Sequence, residues 1–436
     1  MSPEIVSIIA LVAMFVIGTV LPINLGAIGI VAAAGVGMLV SGMTLPESMA
    51  GFPINLFVIL VGLMFLFGIA QQNGTIDLLV RWSMRLVRGH LVAAPWIFFI
   101  LAAAFSAIGA LFAVAIVAPL AMPFARRYKI DMLLMGMMVV HGSLAGAFSP
   151  ISVYGVLVNG LIADTALASN PMTLFLVPFV FNVLVAALIF IVLGRGLVGV
   201  QAHHVDAPAA SSGAASQDDV GEPIAVTSQA GTDTPTGVTY PQILTLIAIA
   251  ALAVGTVGFN LDVGVLAMTL AVAIGILSPA GNAEALKKIS WSTVLLVTGV
   301  ITYVGVLQKV GTTDFVGHGI VTVGAPLVVA LLLLYMCGVL SAFASSAGIL
   351  GVAIPLAMPF LLQGSVSPIG MVAALAVATT VVDVSPFSTN GALVLASTPD
   401  EVDKDAFYRR ILIYAGVVVV LGPLLAWALL VLPGLL

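Results

Sequence analysis

The hexapeptide Pro-Leu-Ala-Met-Pro-Phe occurs twice, at residues 119–124 and 355–360, and the segments around the two copies match at nearly the same offset. Gly62, Gly68, Gln71, Gly74, Thr75 and Asp77 return as Gly299, Gly305, Gln308, Gly311, Thr312 and Asp314, and the SPIS of Ser149–Ser152 returns as the SPFS of Ser385–Ser388. Chance does not keep register over such a span, so the chain reads as two copies of one unit. Pro, Gly and Ser break long apolar segments at corresponding places in both copies, the pattern of secondary transporters whose substrate site lies between repeats.

With 61% hydrophobic and 7% charged residues over 436 positions, the chain is far more apolar than soluble globular proteins, which are about half apolar and a quarter charged. It is built for lipid. The lone cysteine, Cys337, rules out an internal disulfide and a thiolate metal cluster, and reads as a small packing residue. Glu4 and the absence of Lys or Arg before the first apolar run predict a retained span rather than a cleaved signal peptide. The net charge of −5 comes largely from an acidic linker and from loops, and so says little about partners.

A bilayer core takes about 20 apolar residues per helix. On that measure residues 1–195 hold spans near 5–21, 24–43 and 54–72, an amphipathic stretch from Thr75 to His90, an interrupted segment at 91–124, a broken span at 130–160 and a last span at 172–194. Residues 241–436 repeat the order, with spans near 242–258, 260–278 and 291–308, an amphipathic piece at 312–323, an interrupted segment at 325–362, a broken span at 368–396 and a final helix at 408–433. Each interrupted segment, roughly 35 residues, is long for one helix and short for two crossings. A re-entrant hairpin is therefore expected in each repeat, leaving five true spans and inverting the second repeat relative to the first. With both termini outside, twelve of the thirteen Lys and Arg residues fall on the cytoplasmic side and only Lys309 outside, as the positive-inside rule requires. The expected fold is thus an all-α polytopic membrane protein of two inverted-topology repeats, each with five transmembrane helices and one hairpin, in the cell's inner membrane.

Residues 196–240 are rich in Ala, Ser, Asp, Gly, Thr and Pro and read as a cytoplasmic, disordered linker. Its adjacent His203 and His204 lack a third fixed ligand, so a metal site there is not expected.

Breaking a helix in hydrocarbon frees backbone groups that have no water to bond, so breaks persist where they line a cavity or are buried in protein. Four are visible: hairpin tips around Gly109 and Ala110 and around Ser345, Ser346, Ala347 and Gly348, and the interrupted spans His141–Gly155 and Thr379–Leu393. In both spans Pro after Ser removes a backbone donor, and the Ser, Thr and Asn beyond it suit N-caps of a second half-helix. Each such N-terminus carries about +0.5 charge, so four converging would approach about +2, enough to suit a dianion. Because the topology puts every Lys and Arg in a loop or at a helix end, a bound dicarboxylate must rely on dipoles, on hydroxyl and amide donors such as Ser149, Ser152, Ser385, Ser388, Thr389 and Asn390, and on co-bound cations. The carbonyls freed at the opposite ends are hard ligands for Na⁺.

Two ionisable residues lie inside spans, where charge is a functional hypothesis by default. Asp383, whose repeat mate is Ala147, is placed to ligate a cation or carry a proton; packing is the alternative. His141 is placed to contact a substrate carboxylate or titrate near neutral pH, the alternative being a hydrogen-bonded structural group. Thr75 with Asp77 and Thr312 with Asp314 read as corners leading to surface helices, and Arg81, Arg85 and Arg88 as an interfacial face near anionic headgroups.

These segments resemble a known family. Five spans with a hairpin, repeated in inverted form, look like the superfamily that contains the divalent-anion/sodium symporters, and GSLAGAFSPISVYG and DVSPFSTNGAL are similar to segments of MatC-type malonate and dicarboxylate carriers. The resemblance covers nearly the whole chain apart from the linker. It implies that Ser345 and Ser346 occupy the position of the family's Ser-Asn-Thr motif, without its Asn, and that Ser149–Pro150 and Ser385–Pro386 match its unwound segments. The first tip, Gly109-Ala110-Leu111, departs from that motif. Gly109, Ala110, His141, Ser149, Ser152, Ser345, Ser346, Ser385, Ser388, Thr389 and Asn390 are the expected substrate contacts, and Ser143, Ser149, Ser345, Thr380, Asp383 and Ser385 the expected Na⁺ ligands. The resemblance further implies a homodimer that moves its substrate by an elevator-like displacement.

The expected activity is Na⁺-coupled symport of a small dicarboxylate such as malonate or succinate by alternating access. The alternatives are proton coupling through Asp383 and His141, a different small organic anion, or a channel. A hydrolase made from a Ser, His141 and Asp383 lacks any nucleophile motif. Neither an enzyme activity, an organic cofactor nor a nucleic-acid partner is expected.

Overall fold

A computed structural model describes residues 2–21, 23–86, 92–110, 113–163, 170–197, 238–259, 261–313, 315–316, 325–342, 346–362 and 366–434, all of whose regular structure is helical. Arg88, Leu111, Asp314, Ser345 and residues 198–237 of the expected linker, with His203 and His204, lie outside them.

The first half contains α1 (Pro3–Val20), α2 (Leu25–Gly35, continued by a π turn over Val36–Val40), α3 (Leu45–Met49), α4 (Ile54–Gln72), α5 (Thr75–Leu86), α6 (Ala94–Ala107), α7 (Ala113–Arg127), α8 (Met132–Gly146), α9 (Val153–Ala163) and α10 (Pro171–Leu193). In the second half come α11 (Tyr240–Phe259), α12 (Val263–Leu277), α13 (Asn282–Lys287), α14 (Trp291–Val310), α15 (Pro326–Ser341), α16 (Ser346–Leu362), α17 (Pro368–Val381), α18 (Thr389–Ala396) and α19 (Lys404–Ala426, continued by a π turn over Trp427–Val431). Both interrupted segments are helix pairs, α6–α7 and α15–α16, and both broken spans are half-helix pairs, α8–α9 and α17–α18. The short helices α3 and α13 were not expected. Neither is long enough for hydropathy to register, and α3 exists because Thr44 and Glu47 close a capping box around its first turn.

Helix starts are set by the same device in both halves. Asn24, Asp131 and Asn170 cap α2, α8 and α10, and Asp262, Ser367 and Asp403 cap α12, α17 and α19, each side chain accepting from a freed first-turn N–H. Two of these caps also join the halves. Asn24 Nδ2 donates to the Ser292 carbonyl at 2.8 Å, and Asp131 Oδ2 meets the Arg410 guanidinium at 2.8 Å.

Among the described residues, α4, α10, α14 and the α19 segment are long and apolar enough to cross a membrane. Their surroundings differ: 72% of the apolar window in α4 is buried, against 28% in α10, so α4 is an interior helix while α10 keeps an apolar face for lipid. The chain is a multi-pass membrane protein.

Helices pack in two neighbourhoods. In one, α2 runs along α14 and α4 along α12; in the other, α8 lies between α6 and α10, and α17 between α15 and α19. The α2–α14 contact is backbone on backbone, since a Cβ on Gly26 would overlap the Leu295 carbonyl and one on Gly299 the Gly26 carbonyl. With lipid tails as apolar as the helices, such close approach is what holds spans together.

The corner after α4 differs from expectation in its cap. Asn73 Oδ1 accepts from the Thr75 N–H at 3.1 Å and from its hydroxyl at 2.6 Å, while Asp77 is exposed.

Gly299→Val is expected to destabilise the protein by about 1–3 kcal/mol through overpacking, read as a lower Tm and loss of the monodisperse peak in detergent. Gly416→Ala, where a Cβ would meet open space, is the control that keeps the wild-type Tm.

Candidate functional site

Each broken span turns on Ser-Pro-x-Ser, and the two serines serve the turn itself. In the first, Ser149 Oγ accepts from the Ile151 N–H at 3.4 Å and Ser152 Oγ donates to the Ser149 carbonyl at 2.8 Å. In the second, Ser385 Oγ accepts from the Phe387 N–H at 3.2 Å and Ser388 Oγ donates to the Ser385 carbonyl at 2.7 Å. Side chains thus add to the backbone hydrogen bonding of turns in which Pro150 and Pro386 interrupt the helical ladder. A glycine completes each turn: a Cβ on Gly155 would overlap the Ser149 carbonyl, and one on Gly391 the Ser385 carbonyl.

Between the breaks lies a cavity of about 70 Å³, room for about five waters or a small molecule of that bulk. The α6–α7 tip contributes Ser106, Gly109 and Ala110, with Gly109 at φ +106°, a conformation that favours glycine. From the first break come Ser143, Leu144, Ala147, Ser152, Val153 and Tyr154. The second half adds Thr293 at the start of α14, Ser346 and Ala347 at the start of α16, and Asp383, Thr389 and Asn390 around the second break. Helices α9, α16 and α18 begin at this wall, so three positive helix ends border the cavity. Among the described residues, no Lys or Arg lines it.

Asp383 changes the electrostatics of that arrangement. Its Oδ2 accepts from Asn390 Nδ2 at 3.0 Å. It therefore sits on the first turn of α18 as a capping carboxylate would. One of the helix ends expected to hold an anion is already occupied by a carboxyl group of the chain's own.

Of the expected site residues, Gly109, Ala110, Ser143, Ser152, Ser346, Asp383, Thr389 and Asn390 line the cavity. Ser149, Ser385 and Ser388 do not, because the breaks consume them. Thr380 is buried in α17, its hydroxyl donating to the Ala376 carbonyl at 2.7 Å. Ser345 lies outside the described residues.

His141 is also away from the cavity, fully buried between α8, α10 and α19. Its Nδ1 lies 2.8 Å from Asn182 Oδ1 and its Nε2 2.6 Å from the Tyr414 hydroxyl. Since Asn182 Nδ2 donates to the Pro178 carbonyl, its Oδ1 is the acceptor, so Nδ1 of His141 carries the proton and Nε2 accepts from Tyr414. Both ring nitrogens are engaged, and the imidazole pins three helices together.

The sequence reading passed over Ser106, Tyr154 and Thr293. Tyr154 is the repeat mate of Asn390, and it lines the cavity together with Ser346 at the start of α16. That duplication offset is the signal that would have found it.

A polar cavity bordered by the broken ends of apolar helices thus lies inside a polytopic membrane fold. Residues 1–147 match the family model described as the dicarboxylate carrier protein MatC N-terminus, to which this part of the chain is similar. Among solved structures, the Alcanivorax borkumensis YdaH transporter, reported with an unusual topology, shares the fold at a TM-score of 0.56 and 16% identity, over 90% of this chain and 86% of that one. No curated protein matches the chain in sequence.

His141→Ala is expected to cost about 1–3 kcal/mol, because Tyr414 and Asn182 are left buried without their partner. The check is a lowered Tm in detergent with the KM for the transported anion unchanged. A raised KM at unchanged Tm would put the imidazole back at the substrate.

Proposed function

We propose that the chain is a cation-coupled symporter of a small dicarboxylate of malonate or succinate size, with Na⁺ as the coupling ion. The observation that carries this reading is Asp383: the cavity presents donors for carboxylates but holds a carboxylate of its own and no basic side chain. A dianion entering a low-dielectric site beside Asp383 meets like-charge repulsion that helix ends alone offset poorly. A co-bound cation removes that penalty, so substrate and cation bind together or not at all. Stoichiometric coupling follows from this mutual dependence.

Ser106, Ser143, Ser152, Thr293, Asp383 and Asn390 supply hard oxygen donors around the cavity, a set suited to Na⁺. The donors available to the substrate are the Ser, Thr and Asn side chains and the first-turn N–H groups of α9, α16 and α18. Proton coupling is the second reading, favoured by the same residue. With His141 committed elsewhere, it would run through Asp383 alone.

In this reading the hairpins and broken spans move as one body against the α2–α14 and α4–α12 pairs, exposing the cavity alternately to the two sides. Helices α6 and α7, with 14 and 15 residues, are about 21–22 Å long at 1.5 Å per residue. Each falls short of a core about 30 Å thick, in keeping with a hairpin that enters and leaves by one face. Two inverted repeats in a homodimer, with both termini outside and residues 196–240 in the cytoplasm, complete the proposal.

The test is uptake of labelled malonate and succinate into proteoliposomes under a Na⁺ gradient and a proton gradient imposed separately. Uptake driven by Na⁺ supports the first reading, uptake driven by protons the second, and indifference to both removes symport. Asp383→Asn is expected to abolish gradient-driven accumulation, a loss of at least about tenfold.

A further inference from the structure

A second, larger cavity of about 510 Å³ lies beside the central one. The two share Gly109, Ala110 and Thr389 in their linings. Its other walls are apolar or neutral, from α4 (Met64, Phe67, Gln71) and α7 (Ala115, Ile116), apart from the turn between α13 and α14, which carries Lys287, Lys288 and Ser290. The two lysines are not equivalent. Lys287 is held by Glu284 at 2.6 Å, which compensates its charge. Lys288 makes no ion pair among the described residues, and its stem is fixed where α13 packs on α4: a Cβ on Gly68 would lie 3.3 Å from its Cβ.

We propose that this cavity is an anion antechamber, in which the uncompensated Lys288 ammonium collects a carboxylate-bearing substrate and presents it to the central cavity across Ala110 and Thr389. The inference rests on the reading of the chain as an organic-anion carrier. A cleft with low-dielectric walls and charge of one sign focuses the field and raises the local concentration of an oppositely charged ligand. The central cavity, with Asp383 and no basic group, does not attract an anion from a distance. Lys288 supplies that attraction without entering the binding site, where a fixed positive charge would replace the coupling cation and uncouple transport. A flexible, solvated ammonium also releases its guest readily, as a waiting position requires.

Two measurements test this. The first needs no knowledge of the substrate. Because the chain's one cysteine, Cys337, is buried, Ala115→Cys in the wall of the larger cavity provides a single reactive thiol. Its modification rates are compared for an anionic sulfonatoethyl and a cationic trimethylammonioethyl methanethiosulfonate. Lys288→Gln is expected to lower the anion-to-cation rate ratio about three- to tenfold, Lys288→Arg to restore it, and Lys287→Gln to change it less. A ratio unmoved by Lys288→Gln overturns the antechamber.

The second measurement is initial-rate succinate uptake in proteoliposomes. Lys288→Gln is expected to raise KM several-fold, to flatten its dependence on ionic strength and to leave the maximal rate intact, with Lys288→Arg recovering the wild-type KM. An unchanged KM, or a fall in maximal rate alone, overturns the delivery role. Absence of dicarboxylate uptake by the wild type would sink the functional reading itself, and the thiol ratios would still decide whether the cavity gathers anions.

Discussion

A helix interrupted inside a membrane protein must satisfy the backbone groups it frees, and in this chain serine hydroxyls at the breaks bond several of them. The Ser-Pro-x-Ser turns spend Ser149 and Ser385 on an N–H and Ser152 and Ser388 on a carbonyl. Glycines at 155 and 391 let the following half-helix fold tightly onto the turn. Stable breaks allow α9 and α18 to begin in the interior, and helix beginnings there make a polar cavity in a chain otherwise built of apolar spans.

That economy shapes the chemistry left at the cavity. The polar groups facing inward are Ser106, Ser143, Ser152 and Tyr154 from the first half and Ser346, Asp383, Thr389 and Asn390 from the second, joined by Thr293 from the other helix neighbourhood. Asp383 is the asymmetric element. Its mate Ala147 also lines the wall, so duplication built the same pocket edge twice and only one copy acquired charge. The carboxylate settles on α18, cancels part of its dipole and leaves a site poorly suited to a dianion alone. In the proposed function, coupling to a cation follows from local electrostatics, with no separate device.

Much of the helix layout was legible in the sequence because length and hydropathy report bilayer thickness directly and Pro and Gly mark interruptions. Helices α6–α7 and α15–α16 occupy the two interrupted segments, and α8–α9 and α17–α18 the two broken spans. Hydropathy has no hold on α3 and α13, which are short and polar-flanked. The site was half legible: breaks announce themselves, but the direction in which a serine points depends on the turn's own hydrogen bonding. Ser149 and Ser385 looked like ligands and are turn residues. Tyr154 and Thr293 looked like ordinary helix residues because what brings them to the wall is tertiary approach by α16 and by the start of α14. His141, a lone imidazole in an apolar helix, was ambiguous until its two partners, 41 and 273 residues away, were in place.

The most direct test of the account is equilibrium binding of malonate and succinate to the purified protein, titrated calorimetrically with and without Na⁺ at fixed ionic strength. The account predicts that affinity collapses when choline replaces Na⁺ and that Asp383→Asn largely frees binding from this requirement. Tight binding of the dianion without Na⁺ at a pH where protons are scarce, with Asp383 intact, would contradict it.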